Sequence, residues 1–135
     1  MASIFSRIIA GEIPCHKVAE TDRAIAFLDI RPLTEGHTLV VPKAEVDSIF
    51  DLDSEDYQAV FDLVRVVAEA QKAVVPCTRI GLTVLGFEVP HAHIHVVPLR
   101  SEADLNFANP KLQLDSLELE GIARRLREAI LVESL

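Results

Sequence analysis

The chain carries only two cysteines, Cys15 and Cys77, far apart and in no recognisable motif. Such sparse thiols fit a reducing compartment and read as ordinary small residues. Long apolar runs are missing too: none approaches the ~18 residues that suggest a membrane span. The N-terminus shows no basic segment followed by a hydrophobic signal region. A soluble, cytoplasmic protein with no membrane partner is expected. Basic residues are also scarce, 13 Lys and Arg against 21 Asp and Glu, which gives a formal net charge of −8. That field repels polyanions and disfavours nucleic acid as a partner, while leaving room for a small ligand held locally. No repeat, low-complexity tract or linker-like run divides the sequence, so residues 1–135 are read as one domain. A chain of this length buries roughly 65 to 70% of the surface it exposes when unfolded, enough for a real core.

What the sequence does have is histidine in one place. Three of its five histidines fall at every second position of Pro90-His91-Ala92-His93-Ile94-His95-Val96-Val97-Pro98. Side chains alternate faces along a strand, so His91, His93 and His95 are expected on one face, with Ala92, Ile94 and Val96 on the other. Two residues of strand rise is ~6.6 Å, so neighbouring rings can serve one small ligand, whereas His91 and His95 are ~13 Å apart along the backbone. A single phosphate flanked by rings suits that spacing better than one metal ion bound by all three. A zinc site is the alternative, since a His-x-His pair on a strand supplies two ligands. It needs a third from elsewhere, and no Cys-x-x-Cys or His-x-x-Glu-His pattern is present.

Around that stretch the chain reads as alternating strands and helices. Ser3 can cap a short helix bearing Ile4, Phe5, Ile8 and Ile9, with Gly11 to end it. Residues 15–20 and Ala24 to Ile30 read as a hairpin about Thr21-Asp22, and His37 to Val41 as a strand stopped by Pro42. Asp53 and Asp56 resemble a capping pair for a helix through about Val74, with Tyr57, Val60, Phe61, Val64, Val67 and Ala68 on one face. Its opposite face carries Asp62, Arg65, Glu69 and Lys72, a solvated surface. A strand over Arg79 to Leu85 is broken by Gly86, and residues 105–114 carry no clear pattern. Asp115 with Glu118 opens a last amphipathic helix, about 115–132, bearing Leu119, Ile122, Leu126, Ala129 and Ile130. It is read as packing on its own domain, with a partner surface as the alternative. This order of elements predicts an α+β fold with an antiparallel sheet of about five strands.

The run from His91 to Val97 resembles the signature of the histidine triad (HIT) family, His-φ-His-φ-His-φ-φ with φ apolar. Gly36-His37-Thr38-Leu39-Val40-Val41-Pro42-Lys43 is similar to a second block of that family. Ile4 to Pro14, together with Ala26-Phe27-Leu28-Asp29-Ile30-Arg31-Pro32, resembles its N-terminal portion. The resemblance spans residues 3 to about 98. It implies a HIT-like sheet with a long central helix and a C-terminal helix, paired edge to edge in a homodimer to which helix 53–74 contributes.

The resemblance also assigns roles. His93 is implied as a nucleophile that forms a nucleotidyl-histidine, with His91 and His95 flanking the phosphate and His37 as a fourth active-site histidine. Asp29 is implied to accept hydrogen bonds from ribose hydroxyls, and Phe27, Ile30, Phe5 and Ile8 are candidate contacts to a nucleoside base. For Phe5 and Ile8 plain core packing reads equally well. The expected activity is hydrolysis or transfer at the α-phosphate of a nucleoside monophosphate derivative, such as a phosphoramidate or dinucleoside polyphosphate, and it calls for no cofactor. The alternative is a nucleotide-binding or interaction protein with little or no catalysis. Two departures from the family pattern stand out. Val84-Leu85-Gly86-Phe87-Glu88-Val89 replaces the polar stretch whose donors contact phosphate in relatives. Ser3, Ser6 and Glu45 occupy positions where zinc-binding relatives carry two cysteines and a histidine; hydroxyls are poor zinc ligands beside thiolates, so no zinc is expected.

Overall fold

Five short β-prone segments pair into one antiparallel sheet in the computed structural model, which describes residues 2–133. They are β1 (Lys17–Glu20), β2 (Ala24–Leu28), β3 (Thr38–Pro42), β4 (Arg79–Thr83) and β5 (Ile94–Leu99), in the spatial order β1-β2-β3-β5-β4. β2, β3 and β5 are buried along their whole lengths. A strand buried on both sides needs apolar residues at every position, which is why these segments read as continuous runs rather than alternating ones.

The two faces meet different partners. Ala24, Ala26, Leu28, Val40, Ile94 and Val96 face α2 (Ser54–Val74) and α3 (Ser116–Glu133), and form the main core with Val60, Val64, Val67, Leu119 and Leu126. On the other face, Ile25, Phe27, Leu39 and Val41 pack against Phe5 of α1 (Ile4–Ile9), while Val97 and Leu99 pack with Leu33, Leu105 and Phe107. The α+β architecture, the five strands and the two long helices are those expected.

Local chemistry explains the element ends. Ser3 Oγ accepts from the Ser6 N–H at 3.0 Å, and Asp53 Oδ1 accepts from the Asp56 N–H at 2.8 Å, so both helices start on the caps read from sequence. Asp115 Oδ1 does the same for the Glu118 N–H at 2.8 Å. Gly11, at φ +82, turns the chain out of α1 in a conformation that suits glycine. α3 packs against α2 and β1, in keeping with the packing reading of the C-terminal helix.

Four details differ from the sequence reading. β2 ends at Leu28 and β4 at Thr83, and β3 starts one residue after His37. The buried stripe of α2 runs through Leu63, Ala70 and Gln71, whereas Tyr57 is 39% exposed. The helix thus presents a wider face to the sheet than its aromatic residues mark. β5 passes through Pro98 to Leu99, because the β3–β5 ladder stops at Val96 and leaves no partner on that side for the missing proline N–H. Finally, β5 begins only at Ile94, so His91 and His93 precede the regular strand.

Candidate active site

The β3–β5 seam sets the site. Leu39 pairs with His95, which puts both on the sheet face away from α2. Residues 87–93 bend ahead of the strand, held by the His91 N–H to Val89 O at 2.8 Å and the Ala92 N–H to Val46 O at 2.7 Å. His91 and His93 enter the site from this bend, and the expected alternation holds through it, with Ala92, Ile94 and Val96 in the core on the other side. A row of rings still results. Phe5 stands edge-on to His93, with centroids 5.0 Å apart, and to His91 at 6.0 Å. His93 is edge-on to His95 at 5.1 Å, His95 lies 5.2 Å from His37, and Phe107 closes the row edge-on to His95 at 4.8 Å. All four histidines are buried, His93 and His95 retaining 7% exposure.

Hydrogen bonds fix which nitrogen carries each proton. His93 Nδ1 lies 2.7 Å from the carbonyl oxygen of His91; a carbonyl only accepts, so Nδ1 holds the proton and Nε2 is left with a lone pair. The Leu33 backbone N–H donates to His37 Nδ1 at 3.0 Å, so the His37 proton sits on Nε2. His37 Nε2 in turn lies 3.0 Å from His95 Nδ1, which must accept, and the His95 proton is forced onto Nε2. One ring thus offers a lone pair and its neighbour an N–H. Burial holds both members of this pair neutral: desolvation, aided by Lys111, lowers the His37 pKa to about 4, and desolvation, aided by His37 and His93, lowers that of His95 to about 4.

Asp29 follows β2 directly. Its Oδ1 accepts from the Arg31 N–H at 2.9 Å, and Oδ2 lies 3.7 Å from His37 Nε2. Burial raises the pKa of its carboxyl above the usual range, against the opposing effect of the Arg31 hydrogen bond. Asp29, His37 and His95 each present one possible ligand atom within 4.8 Å of the others. Both nitrogens of His37 and Nδ1 of His95 are already committed to hydrogen bonds, however, so the cluster reads as a proton network.

His91 is bonded through both ring nitrogens. Its Nε2 donates to the Pro42 carbonyl at 2.7 Å, so Nδ1 accepts from the Ser3 hydroxyl at 2.8 Å. With both nitrogens engaged, the side chain ties α1 to β3, and its carbonyl orients His93. Ser6 Oγ donates to Glu45 Oε1 at 2.6 Å, and the Ser3 N–H reaches the same oxygen at 2.6 Å. These bonds hold the Glu45 carboxyl below its usual pKa, the Ser6 hydroxyl contributing most.

Among the candidate base contacts, Phe5 and Phe27 are buried with ring centroids 5.5 Å apart, and Ile8 packs half-buried against them. Ile30 is 66% exposed and stands outside that cluster. Two contributors had no sequence signal. Phe107 comes from the patternless stretch after β5, and the Leu33 contribution is a backbone N–H, which no side chain announces. Beyond Phe107 a cavity of about 540 Å³ is lined by Thr83, Leu85, Glu102 and Asn106.

Known proteins resemble this chain in sequence and in fold. The adenosine 5'-monophosphoramidase hnt1 of Schizosaccharomyces pombe is 32% identical over 136 residues, covering 96% of this chain and 99% of that protein. The adenylylsulfatase HINT3 of Arabidopsis thaliana is 31% identical over 128 residues, covering 91% of this chain and 64% of that protein. The crystal structure of a zinc-bound histidine triad family protein from Mycobacterium smegmatis superposes with a TM-score of 0.84 at 28% identity, covering 99% of this chain and 96% of that one. The HIT domain matches residues 10–102, so with its sheet, its row of histidines and these relatives the chain belongs to the HIT domain family.

Proposed function

We propose that this protein is a nucleotide hydrolase or transferase that cleaves at the α-phosphate of a nucleoside monophosphate derivative through a nucleotidyl-histidine. The observation that carries it is the pairing of tautomers: the His93 Nε2 lone pair stands beside a His95 whose Nε2 bears the proton. In this reading Nε2 of His93 attacks phosphorus as the bond to the leaving group breaks. The neutral His95 donates its Nε2–H as a hydrogen bond to a phosphoryl oxygen while its Nδ1 still accepts from His37, and the leaving group takes its proton from water. Water then hydrolyses the phosphorus–nitrogen bond to His93 and regenerates the free ring. Asp29 receives the ribose hydroxyls, and Phe5, Ile8, Phe27 and Ile30 take the base.

An adenosine phosphoramidate is the first substrate to offer, given the activity named for the fission-yeast relative. Wild-type protein quenched during its turnover should carry the mass of one adenylyl group on the peptide containing His93. An adduct on another residue removes that assignment. Nucleotide binding with no turnover makes this a binding protein instead, the reading that the apolar Leu85-Gly86-Phe87 segment favours.

The Mycobacterium smegmatis relative is zinc-bound, but Ser3, Ser6 and Glu45 do not suit that ion. Two neutral hydroxyls and one carboxylate form a weak donor set, and they are already bonded to one another and to His91. We propose that this network replaces the metal in tying α1 to the sheet; stoichiometric zinc in the purified, tag-free protein refutes this.

Assembly follows from the sheet edge. β4 pairs only with β5, and Leu82 on it and Val84, Leu85 and Phe87 just after it are 46%, 43%, 50% and 93% exposed. An uncovered apolar edge is a template for pairing, so we propose an edge-to-edge homodimer, with α2 contributing its exposed Tyr57 and Val66. Light scattering across micromolar concentrations should give twice the chain mass, and a monomer mass throughout rejects the dimer. The two unpaired thiols, Cys15 and Cys77, accord with a reducing cytoplasm as its setting.

A further inference from the structure

Behind the His37–His95 pair, on the opposite side of the sheet, lies a buried amide that neither the family signature nor the helix pattern singles out. Gln71 is fully buried in α2. Its Nε2 lies 2.9 Å from the carbonyl oxygen of Gly36 and 2.9 Å from that of Val96, so its two N–H bonds reach both. Gly36 immediately precedes His37, and Val96 immediately follows His95. One side chain therefore grips the backbone beside each ring of the pair, across the seam that separates them. Its Oε1 has no partner among the described residues. A buried acceptor without a partner is costly, so the amide is not explained by core packing, which an apolar residue of the same size serves better.

The surrounding geometry is built to bring the Gly36 carbonyl there. The β3–β5 ladder covers only Thr38–Val40 against Ile94–Val96, and Gly36 lies beyond its end. Gly36 adopts φ +87, which favours glycine, and a Cβ at that position would stand 3.0 Å from the Val75 side chain at the end of α2, so any larger residue crowds the chain's passage under the helix. The Thr38 hydroxyl donates to the same carbonyl at 2.8 Å. The glycine lets the chain pass close under α2, and the Thr38 bond holds the same carbonyl from within β3.

We infer that Gln71 is a positioning residue: by holding Gly36 and Val96 together from behind the sheet, it sets the His37–His95 separation that dictates the His95 tautomer. The groups facing the pair are Asp29 from the end of β2, His93 from the bend, and Lys111 and Phe107 from the segment after β5. Gln71 touches none of them; it acts through the two carbonyls and, at 3.4 Å, the Thr38 hydroxyl.

The test replaces Gln71 with methionine, similar in size and without donors, and compares it with Val67→Ala, a fully buried residue one turn earlier on the same helix. Two readouts are taken. The imidazole ¹⁵N shifts of His95 report its tautomer in the resting protein and do not depend on any activity. Turnover of an adenosine phosphoramidate is the second, and it rests on the reading proposed above. Gln71→Met should move His95 from a single Nε2–H tautomer to a mixture. It should also lower kcat about 10- to 100-fold with KM little changed, the scale of a misplaced catalytic group. Val67→Ala should lower stability and leave both readouts at wild type. Thr38→Val, which removes the second donor to Gly36, should give a smaller shift in the same direction and serves if Gln71→Met does not fold. If the His95 tautomer is unchanged in Gln71→Met and Thr38→Val, or if Val67→Ala alters it equally, the positioning role is overturned. If the tautomer shifts as expected but the wild type shows no turnover, the inference about Gln71 holds and the proposed activity fails.

Discussion

Replacing His93 by alanine is expected to lower turnover of an adenosine phosphoramidate by at least about 10⁴-fold, the scale on which loss of a covalent nucleophile acts. His93 alone combines a lone pair fixed on Nε2 with a neighbouring ring that carries an N–H. Nucleotide affinity should change far less, because the candidate base and ribose contacts come from α1, β2 and the two residues after it. Truncation leaves a space between Phe5 and His95, whose rings both touch His93, so His93→Asn is the companion variant. It offers a donor to the His91 carbonyl and cannot form a stable phosphorus–nitrogen bond. Steady-state kinetics with isothermal titration of adenosine monophosphate separates the two effects. Turnover within a few-fold of wild type in both variants removes His93 from the nucleophile's role.

His95→Ala and His37→Ala are expected to lower kcat by roughly 10²- to 10³-fold each, the usual scale for losing one preorganised donor to the developing charge. The double variant should be scarcely worse than the poorer single one, since the two rings act as a unit through the 3.0 Å bond between them. Losses that multiply would show that the rings act independently. The same pair predicts how stability depends on pH. Histidines in the unfolded chain take up protons near pH 6.5, whereas His37 and His95 in the folded protein do so only near pH 4. Between those values the unfolded state binds more protons, so stability should fall as pH falls from about 6.5 to about 4 and be fully present above that window. Denaturant unfolding at pH 7.5, 6 and 5 measures the slope. The double variant should show a shallower one, and an unchanged slope would place the titrating groups elsewhere.

Several features of the site were written in short-range pattern. The alternation about His93, the Gly36-His37 step into an apolar strand and the caps at Ser3, Asp53 and Asp115 each depend on residues a few positions apart. Local rules of strand, turn and cap geometry reach that far. The family signature adds Asp29, which the structure places 3.7 Å from His37 as the end of β2 meets the start of β3.

What the sequence determined by itself was therefore the set of chemical groups, the α+β class and the order of its elements. Tertiary structure decided what those groups do to one another. That His91 anchors α1 depends on Ser3, 88 positions away, and on the Pro42 carbonyl, 49 positions away. The His95 tautomer depends on His37, 58 positions distant, and on a backbone N–H whose direction no composition encodes. Phe107 joins the site from a stretch without periodicity, and Gln71 reads as one more polar residue of a helix until α2 is laid across the seam. The physical reason is common to all four: hydrogen bonds and ring contacts are short-ranged and directional, so they are fixed only once the fold brings distant segments within a few ångströms.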